Sequence, residues 1–95
     1  MSMKLLNRMK IELKTYGPIL TGRKVAIQIR NQIINEAQVI LDFEGVQSIS
    51  KIFAEELLGQ LAKLKGREVY LNQVQILNVS DENRKMLIYV IKENS

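Results

Sequence analysis

Asp42 and Glu44 stand two residues apart in the stretch Asp-Phe-Glu-Gly-Val-Gln-Ser-Ile-Ser, Asp42 to Ser50, with two serines following at Ser48 and Ser50. On an extended strand this spacing turns both carboxylates to one face, where a pair can hold a hard cation or trade protons. No histidine and no third clustered acid joins them, so no metal or cofactor is expected. The plainer role is local: Asp42 ends a strand by accepting loop N–H groups, and Glu44 is solvated. Gly45 supplies a turn conformation that other residues resist. Ser48 and Ser50 can each cap a following helix, and a phosphate on either would place roughly two negative charges beside a helix N-terminus.

Two absences narrow the chemistry further. Without cysteine there is no disulfide, thiol nucleophile or thiolate metal site. Without histidine the commonest general base and every standard nucleophile–histidine pair are missing. A noncatalytic protein is the expectation.

Thr21-Gly22-Arg23-Lys24 joins a glycine and two cations to a helix start, so Thr21, Arg23 and Lys24 are candidates for a small anion contact. The spacing of a nucleotide phosphate loop is missing. Lys4, Arg8, Lys10, Lys14, Arg23, Lys24 and Arg30 make the N-terminal third basic, and the net charge is +4. Nucleic-acid or anionic-ligand binding through this region is the alternative functional reading. With three tyrosines, two phenylalanines and no recognition motif, solubilising charge accounts for these residues more simply.

The elements that must position these residues follow from periodicity. Met9, Ile11 and Leu13 alternate with Lys10, Glu12 and Lys14, a strand with one buried and one lysine-bearing face that Gly17-Pro18 ends near Tyr16. Thr21 can cap a helix over roughly Gly22 to Glu36, with Val25, Ala26, Ile29, Ile33 and Ile34 on its apolar face. Ala37 to Phe43 carries a continuous Val-Ile-Leu run that reads as a central strand covered on both faces. Phe53, Leu57, Leu58, Leu61 and Leu64 form the apolar stripe of a helix over Ile52 to Lys65, stopped by Gly66. Val69 to Val79 is rich in strand formers, with an interruption at Asn72-Gln73. Ser80 then caps a last helix whose stripe is Met86, Leu87, Val90 and Ile91, with Asp81 and Glu82 in its first turn.

This alternation predicts an α/β fold with a mostly parallel or mixed sheet and helices packed against it. At 95 residues, 46% hydrophobic and 25% charged, the chain fits one globular domain spanning residues 1–95. No apolar run is long enough to cross a bilayer and no signal peptide is evident, so a cytoplasmic location is expected. In such sheets ligands and partners gather beyond the carboxyl ends of the strands, here Pro18 to Arg23, Asp42 to Lys51 and Asn78 to Glu82, which should share one edge.

The segment from Ile40 to Leu61 resembles the STAS-like family of small bacterial and phage proteins, related to the STAS domains of anti-sigma factor antagonists. Asp42, Phe43, Gly45, Val46, Phe53, Ala54 and Glu56 fit its pattern, and weaker similarity extends the match to roughly Leu20 to Ile91. The resemblance implies a STAS-like α/β fold and a regulatory module that docks on a partner protein of the ATPase or kinase type. The docking surface it implies is the loop and helix start after the central strand: Gly45, Gln47, Ser48, Ser50, Lys51, Ile52 and Glu55. In antagonist domains a serine at the start of this helix receives phosphate. Lys51 takes that position here, which leaves Ser48 and Ser50 as the neighbouring hydroxyls. Either a monomer or a homodimer through a helix face fits these features.

Overall fold

The computed structural model describes residues 8–66, 68 and 72–95. Three strands, β1 (Met9–Glu12), β3 (Val39–Asp42) and β5 (Val74–Leu77), form a parallel sheet in the order β1-β3-β5. Met9 pairs with Val39 and Val39 with Val74, so the strands start level and end level at Glu12, Asp42 and Leu77. This register gathers like side chains on each face. Met9, Ile11, Val39, Leu41, Val74 and Ile76 share one apolar face, while Lys10, Glu12, Ile40, Asp42, Gln75 and Leu77 share the other.

The central strand is therefore not covered equally on both faces, as its Val-Ile-Leu run suggested. Val39 and Leu41 are buried, but Ile40 is half-buried, flanked in register by the exposed Lys10 and Gln75. The aliphatic stems of such neighbours shield an isoleucine without a second layer of helices.

Other boundaries also move. β1 ends at Glu12, and Leu13–Tyr16 closes into a 3-10 turn that buries Leu13. Helix α1 is Arg23–Ile33, shorter than expected; its N-cap is Gly22, with no side-chain cap, so Thr21 does not cap it. Thr21 lies one residue too early for its hydroxyl to reach the first free N–H groups. The stretch expected as a strand over Val69 to Val79 yields β5 only after Gln73, and Val69, Tyr70 and Leu71 lie outside the described residues.

The helix after the central strand runs from Lys51 to Lys65 with a change of pitch inside it: α2 (Lys51–Ala54), a π segment (Glu55–Gly59) and α3 (Gln60–Lys65). The Gln60 N–H donates to the Glu55 carbonyl, five residues back. One residue is thereby inserted into the α repeat, turning all that follows by about 100° relative to an uninterrupted helix. Phe53, Ala54, Leu57, Leu58, Leu61 and Ala62 all reach the core. Leu64 does not: it was expected on the buried stripe, but the inserted residue rotates it outward and it is 67% exposed. Gly66, with φ 81°, ends the helix as expected.

The π segment lies between α1 and the last helix, α4 (Asp81–Glu93), and packs on both. Arg30 of α1 donates to the Glu56 carbonyl (2.5 Å) and to its carboxylate (3.0 Å). A π insertion displaces carbonyls from their usual helical partners, and the half-buried guanidinium supplies donors where that happens. On the other side Asn94, at the end of α4, donates from Nδ2 to Glu55 Oε2 and to the Val90 carbonyl, both at 2.8 Å. The core between sheet and helices is completed by Ala26, Ile29 and Ile33 of α1 and by Leu87, Val90 and Ile91 of α4.

Arg30→Ala is expected to cost about 2 kcal/mol, because it strips donors from a charged, half-buried acceptor. Urea unfolding measures this directly; a loss below about 0.5 kcal/mol would show that water replaces the guanidinium without penalty.

Candidate functional site

The three segments expected at the carboxyl ends of the strands do meet. A short parallel pair absent from the sequence expectation, β2 (Ile19–Leu20) with β4 (Ser48–Ile49), ties the first segment to the second. Around it the Gln47 N–H donates to the Pro18 carbonyl (2.7 Å) and the Ser50 N–H to the Leu20 carbonyl (3.0 Å). Asn78 Nδ2 donates to Asp42 Oδ1 (2.9 Å), and Asn83 Nδ2 reaches the Gln47 carbonyl (3.4 Å), which brings in the third segment.

Asp42 anchors this edge. Its Oδ1 also accepts the Glu44 N–H at 3.0 Å, and Lys10 Nζ stands 3.6 Å from Oδ2. The Asn78 amide, then the Glu44 N–H and the Lys10 charge, stabilise the ionised form and hold its pKa below the ordinary 3.8. Asn78 adopts φ 56°, the one positive φ at a non-glycine among the described residues, and asparagine tolerates that conformation well. The local reading of Asp42 is therefore the observed one. Glu44 is exposed, lies beyond the end of β3 and presents its backbone N–H to Asp42, so the two do not act as a paired-carboxylate site. Among the described residues no three His, Cys, Asp or Glu side chains cluster as metal ligands would.

Gly45 has φ 85°, as its turn role required, and a Cβ there would sit 3.3 Å from Lys14 Cβ. Phe43 and Val46 are buried, and the Val46 N–H closes the turn onto the Phe43 carbonyl (2.9 Å). The two serines part company. Ser50 is the N-cap of α2: its Oγ accepts the Phe53 N–H (2.9 Å) and donates to the Thr21 carbonyl (3.0 Å). Ser48 caps nothing, because it lies in β4, where its backbone is extended and its side chain is exposed.

Beyond Ser50 the helix start opens a surface. Lys51, Ile52 and Glu55 line a depression of about 260 Å³ together with Arg23 and Glu56. Ile52 is 50% exposed, and Lys51 Nζ lies 5.5 Å from the ring centroid of Tyr89, itself 48% exposed. Gln47 and Ser48 are exposed on the adjoining loop and Gly45 rests over Lys14, but these three do not line the depression. Arg23 Nε is 3.1 Å from Glu56 Oε2, and Glu56 also holds Arg30. Of the candidate anion contacts, Arg23 is thus engaged by an acid, Thr21 offers its carbonyl to Ser50, and Lys24 is exposed.

Tyr89 escaped the sequence reading. It falls off the Met86-Leu87-Val90-Ile91 stripe, so it was an aromatic on the outer face of α4, a signal available from periodicity. Its neighbour Lys51 comes from a distant segment, and periodicity carries no such proximity.

A small parallel sheet with helices packed against it and a hydrogen-bonded loop edge defines an α/β domain. A family model described as STAS-like domain of unknown function (DUF4325) matches residues 22–84, and the chain belongs to that family. Neither the curated proteins nor the solved structures gave a significant match. None of the described helices is long and apolar enough to cross a membrane.

Two measurements check this geometry. Ser50→Ala removes a cap and an interloop bond and is expected to lower stability by about 1–2 kcal/mol, whereas Ser48→Ala stays within about 0.5 kcal/mol. Equal effects in chemical denaturation would contradict the unequal roles of the two hydroxyls.

The second concerns acid. Because the folded Asp42 pKa lies below its unfolded value, the stability it contributes is present above 3.8 and is lost as pH falls through the folded pKa. Asp42→Asn is expected to be less stable at neutral pH and to show a shallower decline between about pH 5 and pH 2. Parallel declines in the two proteins would remove the carboxylate from this role.

Proposed function

We infer that the protein is a noncatalytic regulatory module that docks on another protein through the start of α2 and the neighbouring face of α4. The observation that carries this reading is the exposed platform of Ile52, Lys51 and Tyr89 beside the Arg23–Glu56 depression. An aliphatic and an aromatic side chain, each about half exposed and flanked by charge, have the composition of an interface core with a polar rim. The scaffold beneath is fixed by the Ser50 cap and the loop-to-loop bonds, so little ordering cost is left for binding.

The family resemblance supplies the partner class, a regulator of the ATPase or kinase type, with the Gly45-to-Ser50 loop as the adjoining contact. The absence of histidine and cysteine supports docking over catalysis. Lys51 meets Tyr89 at the place where related domains carry a phosphorylated serine, which favours a constitutive contact there. If a phosphate is added nearby, Ser48 presents the exposed side chain, whereas the Ser50 hydroxyl is engaged on both sides.

The test uses the tagged protein as bait in its native host, followed by calorimetry with the purified recovered protein. Tyr89→Ala and Lys51→Glu are each expected to weaken binding by at least about 10-fold while circular dichroism and melting temperature hold. Unchanged affinity in both variants overturns the assignment of this surface.

A further inference from the structure

The π segment also decides which side chains the helix turns outward. Twelve residues separate Ile52 from Leu64, which in an uninterrupted α-helix would set them about 120° apart. With one residue taken up by the insertion they differ by about 20° and lie about 17 Å apart along one outer line of the helix. Both are exposed, Ile52 at 50% and Leu64 at 67%. The insertion thus brings out a leucine that a regular helix would bury and aligns it with an isoleucine three turns away.

The flank of this line is charged in a self-complementary way. By the same arithmetic Glu55 and Lys63 fall on one side of it, within about 20° of each other. Glu55 is half-buried, with Oε2 accepting from Asn94 Nδ2 and its charge not paired to any cation of its own chain among the described ion pairs, and Lys63 is exposed. Side chains on the same flank face each other when two copies of a helix pair antiparallel about a twofold axis. Such pairing sets Ile52 against the second copy's Leu64, Leu64 against the second copy's Ile52, and each Glu55 near a Lys63.

We propose that the outer face of the α2–π–α3 helix is a self-association surface on which two copies of this chain pair antiparallel. The face is one helix wide, so the dimer is weak, with a Kd on the order of 100 μM. Ile52 and Glu55 belong also to the proposed docking surface, whereas Leu64 and Lys63 lie outside it, so the two surfaces can be tested apart.

The chain has no native cysteine, which permits a direct geometric test. Ile52→Cys chains mixed with Leu64→Cys chains are expected to form a disulfide-linked dimer under mild oxidation. Each variant alone is expected to crosslink at least about 10-fold more slowly, since like positions sit about 17 Å apart, beyond disulfide reach. Sedimentation equilibrium of the unmodified chain should show a concentration-dependent dimer, weakened at least about 10-fold by Leu64→Glu without a change in melting temperature. A chain that stays monomeric at millimolar concentration overturns the proposal, as does crosslinking of each variant with itself as fast as in the mixture. If Lys51→Glu weakens a protein partner while Leu64→Glu leaves sedimentation unchanged, docking stands and self-association fails.

Discussion

Which face the long helix from Lys51 to Lys65 turns to the core beyond Gly59 is set by the Gln60 N–H, which skips a carbonyl and bonds Glu55. Without that inserted residue Leu64 would join Leu61 on the stripe set by Phe53 and Leu57, and Ala62 would rotate off it. The rest of the molecule closes on this irregularity. Arg30 of α1 attends to Glu56 from one side, and Asn94 at the end of α4 attends to Glu55 from the other. Gly59 makes the second approach feasible, since a Cβ there would stand 2.9 Å from Asn94 Nδ2. Local strain in hydrogen bonding is thus relieved by side chains that also clamp the three helices together.

The loop edge is organised by the same economy of polar groups. Asp42 ends β3 and collects donors from its own loop, from Asn78 after β5 and from Lys10 on β1, so one carboxylate couples all three strands of the main sheet. Ser50 couples the first and second segments in a similar way, accepting from one backbone and donating to another. The proposed docking platform begins where this network stops, at Lys51 and Ile52. The surface proposed for a partner is therefore carried on an edge whose polar groups are already satisfied internally, which would spare it desolvation on binding.

The parallel α/β order, the Ser50 and Ser80 caps, the Gly45 and Gly66 turns and the α4 stripe were legible because each depends on residues close in the chain. The strand of Val39, Ile40 and Leu41 was legible as central but not as one-sided, since its covering depends on neighbours thirty residues away in either direction. β2 and β4 escaped because a two-residue pair leaves no periodicity to read. Leu64 was misplaced because a period of 3.6 assumes no insertion, and the bonds that stabilise the insertion come from α1 and α4. At the site, Lys51 and Ile52 were legible from the motif, while their juxtaposition with Tyr89 is a product of helix packing.

The exposed side chains of the outer helix face have a consequence for how the two proposed surfaces work together. Ile52 stands at the junction of both, with Lys51 and Tyr89 on one side and the line toward Leu64 on the other. A side chain buried against a second copy is withdrawn from a different partner, so the two associations exclude each other and compete by mass action. A weak self-contact then removes little from the free pool at low concentration but shields the apolar line as the protein accumulates. An exposed leucine costs little in folding stability, and a one-residue insertion attended by Arg30 and Asn94 is a larger structural commitment than solubility alone requires. Regular α-helix would have buried Leu64 at no such cost, which makes the insertion itself the feature that a functional outer face explains.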